Sequence, residues 1–314
     1  MPLKEILAAN PILPFAEAMR STPQPEQWHG EGDVLTHTRM VISSLDEIPE
    51  VMALSQDDRE AISLLVRYHS VPPHAIDSES VQLTLHRIAA NSSLAPYFSV
   101  KLLCLLSRAD MMGRICDDRE AMLDQIALCE ELAKEEGCYE SCYPFPSDYT
   151  LRAYLDGRDV WKSQELHDDT WGTVYMMSGL PGTGKDTWIR QNLPDIPMVS
   201  LDEIRHERKI LPTDNQGLVA NLAKEQAKEY LRKRQSFVWN ATNLTPAMRQ
   251  QLISLFEGYK ARVNIIYLET DWQTLLERNR SREDAVPQSA IESMLGKLTP
   301  PEAYEAAHVD WISV

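Results

Sequence analysis

VYMMSGLPGTGKDT, residues 174–187, joins a short apolar run to a glycine-rich turn and then to the start of a helical pattern. The turn follows the phosphate-loop spacing G-x-x-x-x-G-K-[ST] at Gly179, Gly184 and Lys185. Between them stand Pro181, Gly182 and Thr183. Glycines here let successive backbone N–H groups face inward around phosphate oxygens. The helix that follows directs its positive end at the same anion. Lys185 supplies a point charge for the β and γ phosphates, so the turn implies ATP or another nucleoside triphosphate with Mg²⁺. The spacing departs at Asp186, where a Ser or Thr hydroxyl ordinarily meets the metal. A carboxylate there is a candidate metal ligand, although it brings negative charge toward a polyphosphate, and Thr187 lies one residue along.

Downstream of this turn the rhythm continues. Short apolar runs at 197–200, 237–240 and 263–269 alternate with helical patterns at 186–193, 217–234, 246–259 and 272–281, and VDWIS (309–313) supplies a last strand. Such alternation predicts an α/β domain with a parallel sheet over 173–314. Upstream, to residue 137, Ala61, Leu64, Leu65 and Tyr68 recur at helical spacing, as do Val100, Leu103, Cys104 and Leu106. That stretch predicts an all-α domain. Residues 138–172, rich in Tyr, Phe, Trp, Pro and charge, read as an extended aromatic linker that packs on its neighbours.

Composition narrows the function classes. The 314 residues are 43% hydrophobic and 25% charged, the balance of a globular protein with a real core. No apolar run reaches the roughly 18 residues of a membrane helix, and the opening MPLKEILAANP does not read as a secretory signal. Five cysteines without a CxxC pair read as reduced thiols, and the expected location is cytoplasmic. The net charge of −16 is unevenly spread: residues 1–172 carry 14 Lys and Arg against 29 Asp and Glu, whereas 173–314 carry 17 against 18. The second half therefore remains free to focus positive charge in a cleft.

Three later segments carry further chemistry. VSLDEIR (199–205) puts Asp202 and Arg205 at the carboxyl end of a strand, where open α/β sheets place ligand groups. An Asp there can take the proton of an attacking hydroxyl, and an Arg one helical turn away can grip a phosphate bidentately. WNATNLTP (239–246) ends the next strand in Asn240, Thr242 and Asn243, polar but uncharged where many phosphate-loop enzymes keep an acid. Any metal then leans on Asp186 and Asp202. LLERNRSREDAVP (275–287) holds Arg278 and Arg282, four apart and expected on one helical face, suited to neutralising a transferring phosphoryl group.

In that order, GLPGTGKDTW, VSLDEIR, WNATNLTP and LLERNRSREDAVP resemble the phage-type polynucleotide 5′-kinase domain, over about 140 residues from 173 to 314. The resemblance implies transfer of the ATP γ-phosphate to a 5′-hydroxyl of RNA or DNA in end repair, with an RNA ligase as a partner in sealing and no membrane. It makes Lys185 the phosphate-binding lysine, Asp202 the general base, Arg205 the acceptor-binding arginine, and Arg278 and Arg282 the lid arginines. The family usually has Ser at the position of Asp186.

Earlier segments, WHGEGDVLTHTRMV (28–41), LLVRYHSVP (64–72) and LLSRADMMGR (105–114), resemble an HD-type phosphohydrolase domain. Such a domain needs a His, a His-Asp dyad and a distal Asp converging on metal. His37 and Asp110 match the outer members, whereas His69 is followed by Ser70, leaving the dyad missing. The expectation is a degenerate, catalytically inactive HD-like domain fused to a kinase. Two readings stay open beside it: a small-molecule kinase using the same loop, and a non-catalytic, nucleotide-gated RNA-binding module.

Overall fold

The computed structural model describes residues 59–210, 216–270, 272–282 and 285–314. It divides into two compact units, one ending at Pro144 and the other running from Phe145 to Val314.

In the first unit, four helices occupy the described residues: α1 (Arg59–Tyr68), α2 (Val81–Ala90), α3 (Val100–Gly113) and α4 (Arg119–Glu135). They bury Leu64, Leu85, Phe98, Leu103 and Ile126 almost completely, each from the apolar stripe of its helix or the turn before it. Ser99 starts α3 by accepting the N–H of Leu102 at 3.2 Å. The chain after α4 stays with this unit: the N–H of Lys101 bonds the carbonyl of Tyr139 at 3.0 Å, and Tyr139 donates its hydroxyl to Glu130 at 2.7 Å.

The second unit opens with α5 (Asp148–Leu155), capped by Ser147. Its Arg152, only 8% exposed, reaches the carboxylate of Glu257 at 3.1 Å and the carbonyl of Tyr304 at 2.9 Å. The stretch 138–172 is thus not one extended linker. It divides between the two units, and its second part contains a helix docked through a half-buried ion pair.

Five strands follow, β1 (Thr173–Ser178), β2 (Met198–Ser200), β3 (Phe237–Asn240), β4 (Arg262–Glu269) and β5 (His308–Ser313). All pairings are parallel, in the order β2-β3-β1-β4-β5. β3 is buried at every position, and β4 from Ile265 to Leu268, so Phe237–Trp239 and Ile265–Leu268 read as unbroken apolar runs, as strands covered on both faces must. Between the strands lie α6 (Lys185–Asn192), α7 (Leu201–Arg208), α8 (Gln216–Arg232), α9 (Pro246–Gly258), α10 (Trp272–Arg280) and α11 (Gln288–Leu295). Ile189 of α6 packs with Met177, Val238, Ile266 and Leu268 of the central strands. A second apolar cluster, Leu180, Leu244, Leu275 and Ile291, ties the phosphate loop to α10 and α11.

Besides α5, two helices are absent from the pattern read in the sequence, α7 and α11. Each is eight residues long and buries a single side chain, Ile204 or Ile291, too little periodicity to stand out. Their starts are set by local chemistry: Ser200 caps α7 by accepting the N–H of Glu203, and Pro287 precedes α11.

Candidate phosphate-binding site

The chain leaves β1 at Ser178 and turns at once. Gly179 has φ +136°, and a Cβ there would lie 2.3 Å from the carbonyl oxygen of Leu268, so no other residue fits. Gly184, at φ +89°, forms the left-handed entry to α6. The loop's base is sewn to the end of β3. Gly179 donates its N–H to Thr242 at 2.9 Å, Ser178 its hydroxyl to Asn243 at 3.1 Å, and Asn243 its side-chain amide to Met177 at 2.7 Å. Pro181 and Thr183 are buried, and Thr183 donates its hydroxyl to the carbonyl of Leu180 at 2.9 Å.

Lys185 curls back across the loop and donates to the carbonyls of Gly179 at 3.0 Å and Leu180 at 2.8 Å. Desolvation within the loop brings its ammonium down to about 8, against the opposing pull of Asp186 and Asp202, with Arg282 adding to the decrease. Asp186 is exposed in the first turn of α6, and one of its oxygens accepts the side-chain amide of Asn240 at 2.6 Å. Among the described residues its other oxygen carries no hydrogen bond. Thr187 is held by Arg190 at 3.3 Å.

Asp202 lies in the first turn of α7, not at the strand end itself, because Ser200 already caps the helix. It pairs with Arg205 on the same helix, and its second oxygen lies 3.9 Å from Arg282. Burial and the charges of Asp186, Glu207 and Asp202 hold the Glu203 carboxyl above its ordinary range, which marks this edge as a place of concentrated negative charge. Arg278 has a guanidinium nitrogen 3.5 Å from where a Cβ on Gly184 would stand, so it hangs over the entry to α6. Arg278 and Arg282 do not share a helical face as their spacing implied. α10 ends at Arg280, and Arg282 sits in the closing turn, its N–H on the carbonyl of Asn279 at 3.2 Å. Both nevertheless converge on the loop, one from the Gly184 side and one from the Asp202 side.

Sequence reasoning passed over Asn279, the residue that makes this convergence possible. It is 4% exposed and forms a two-way bond with Val286, donating at 2.8 Å and accepting at 3.0 Å. An Asn between two arginines in a helical pattern was the available signal, since Asn is a poor helix former without a partner. Arg249, fully buried, was passed over for the same reason: a lone Arg in an amphipathic helix reads as surface.

Two concavities of this unit, about 790 and 320 Å³, lie at the opposite, amino edge of the sheet around Tyr149 and Arg262. Their cations Arg262, Lys260 and Arg152 are already paired with Asp168, Asp169 and Glu257. In the helical unit Asp110 is 4% exposed and its carboxylate is bound by Arg114 at 2.6 Å. His69 holds the carbonyl of Val66 at 2.7 Å. His37 lies outside the described residues. No group of three or more His, Cys, Asp or Glu able to hold a metal occurs among the described residues.

Residues 174–301 match the family model of the AAA domain. The chain is 24% identical over 136 residues to L-seryl-tRNA(Sec) kinase of Methanococcus maripaludis, a match covering 41% of this chain and 53% of that protein. It thus spans about half the length of that curated relative. Among solved structures, a gluconokinase from Sinorhizobium meliloti is 18% identical, covering 46% of this chain and 84% of its own, with a TM-score of 0.35. The Pnkp1/Rnl/Hen1 complex is 16% identical, covering 40% and 43%, with a TM-score of 0.34. No helix among the described residues is long and apolar enough to cross a membrane. Residues 174–301 thus combine a match to the AAA domain model with a phosphate loop that leads from the central strand of a parallel sheet into a helix.

Proposed function

We propose that the second unit is an ATP-dependent polynucleotide 5′-hydroxyl kinase acting in nucleic-acid end repair, with RNA as the acceptor and an RNA ligase downstream. The observation that carries this reading is the Asp202–Arg205 pair, one helical turn apart beside the phosphate loop, with Arg282 reaching the same carboxylate. A base beside the loop serves any hydroxyl acceptor. An arginine next to that base serves an acceptor that brings a phosphodiester of its own.

In this mechanism the amides of the loop and of the first turn of α6 hold the triphosphate, and Lys185 leaves its two carbonyl acceptors for phosphate oxygens. Asp202 takes the proton of the 5′-hydroxyl as that oxygen attacks the γ-phosphorus. Arg205 turns from Asp202 to the acceptor's neighbouring phosphate. Arg278 and Arg282 neutralise charge on the transferring group. Bound Mg²⁺ supplies charge neutralisation of the phosphates. The donor set fits it: an exposed carboxylate, Asp186, at the loop mouth, where Mg²⁺ characteristically takes one or two carboxylates plus substrate phosphates. In the same reading the helical unit is an HD-like scaffold without hydrolase activity, its Asp110 bound by Arg114.

The test is transfer of labelled γ-phosphate from ATP to short 5′-hydroxyl RNA, to DNA and to free nucleoside, each with and without Mg²⁺. Labelling of the oligonucleotides but not the nucleoside is expected. Labelling of the free nucleoside alone would establish a small-molecule kinase instead, and binding of ATP without any transfer would establish a nucleotide-gated module. Asp202→Ala is expected to lower transfer by at least about 10²-fold, as loss of a general base does, with ATP affinity nearly unchanged. Equal loss of both removes Asp202 from the role of base.

A further inference from the structure

The phosphate loop departs from its pattern at one residue, and the end of β3 departs at another. The two departures touch. Asp186 stands in place of the usual hydroxyl, and Asn240 in place of the acid that phosphate-loop enzymes commonly keep at the end of a neighbouring strand. The side-chain amide of Asn240 donates to one oxygen of Asp186 at 2.6 Å across 54 residues of chain. Asn240 is 8% exposed and fixed on a buried strand, with Met198 against its amide nitrogen at 3.6 Å. It is therefore the rigid member, and Asp186 on the exposed first turn of α6 is the member being held.

We infer that Asp186 and Asn240 are a transposed metal pair, in which the single carboxylate has moved from the strand to the helix and Asn240 is the positioning residue that keeps its free oxygen toward the nucleotide's metal. This rests on the proposed nucleotide-dependent function but not on the acceptor. The ordinary arrangement places a neutral hydroxyl on the helix and a carboxylate on the strand; the transposed one places a carboxylate on the helix and a neutral amide on the strand. The formal charge of the pair is the same in both. A carboxylate on the helix without a fixed donor would be free to swing away from the loop or toward Lys185. An acid at position 240 as well would set two carboxylates against each other. Asn satisfies both demands, because it offers a donor to Asp186 and adds no charge.

The experiment is calorimetric titration of the full chain with ADP, in Mg²⁺ and in EDTA, for the native protein and for D186N, D186S, N240L and D186S/N240D. No acceptor is present, so the result is independent of which hydroxyl the protein phosphorylates. D186N is expected to lose about 10–100-fold of the tightening that Mg²⁺ gives, and N240L a smaller part, as removal of an orienting partner does. Affinity in EDTA should be unchanged or improved for both, because a negative charge beside the phosphates is lost or released. A merely structural defect would weaken binding equally in both media. The double variant, which restores the ordinary arrangement, should recover most of the Mg²⁺-dependent tightening lost in D186S. Retention of the full tightening in D186N, or a double variant no better than D186S, overturns the pair. A chain that behaves as expected here yet phosphorylates no 5′-hydroxyl overturns the kinase reading and leaves the pair standing.

Discussion

At the scale of single residues, Lys185 is where this site is most sensitive to conditions. Its ammonium is held at about 8 by desolvation in the loop, so in the free protein it is charged below that pH and neutral above it. Bound phosphate favours the charged form. Nucleotide binding therefore takes up a proton above pH 8, and affinity should be level below pH 8 and fall up to tenfold per unit above it. Titration of ADP in buffers of different ionisation enthalpy would show the uptake directly. A flat affinity from pH 7 to 9.5 would contradict the described setting of this lysine. At this scale the sequence was highly legible for the loop, because glycine and lysine at fixed offsets have few other uses. It was less legible for Asp202 and Arg205: their proximity follows from helical spacing, but their ion pair does not.

Among elements, the one that organises the arginines is the α10–α11 corner. Leu275 and Ile291 anchor the two helices under Leu180 of the loop, and Asn279 bonds Val286 in both directions. Arg282 leaves the helix only two residues beyond its end, so its place over Asp202 depends on that bond. Asn279→Ala is expected to raise the KM for ATP and lower transfer by about 10-fold, consistent with loss of roughly 1.4 kcal/mol of positioning. It should cost stability by only about 1–2 kcal/mol, since the partner groups at Val286 are left unmade. Unchanged kinetics with normal stability would separate the corner from the reaction. Strands and long helices were readable here from period alone. α7 and α11 were not, for each offers one buried side chain, and their starts are set by a Ser200 cap and by Pro287. A helical spacing of four likewise placed Arg278 and Arg282 on one face, but it cannot reveal that the helix stops between them.

At the scale of the whole second unit, one buried polar group away from the chemistry holds several distant segments together. Arg249 on α9, fully enclosed, makes a fork-to-fork pair with Glu305 at 2.6 and 2.7 Å and donates to the carbonyls of Asn243 and Thr299. One side chain thus joins α9, the turn after β3 and the approach to β5. Removing one partner leaves a buried charge, so Arg249→Met is expected to destabilise the unit by about 3–5 kcal/mol, whereas R249M/E305M should recover a large part of that loss. Urea unfolding of the three proteins measures both, and additive losses would show that the pair is not coupled. Neither residue was identifiable beforehand, because charge in a helix and charge in a loop read as solvated surface until the fold brings them together. The bonds that tie Gly179, Ser178 and Asn243 across β1 and β3 have a consequence at this scale too. The floor of the nucleotide pocket is the middle of the sheet, so ligand occupancy and sheet cohesion are thermodynamically linked. Saturation at a hundred times Kd adds about 2.7 kcal/mol to the folded side of the balance. Heat or protease resistance of the entire unit, including the distant amino edge around Arg152, would then rise and fall with the cell's supply of nucleotide.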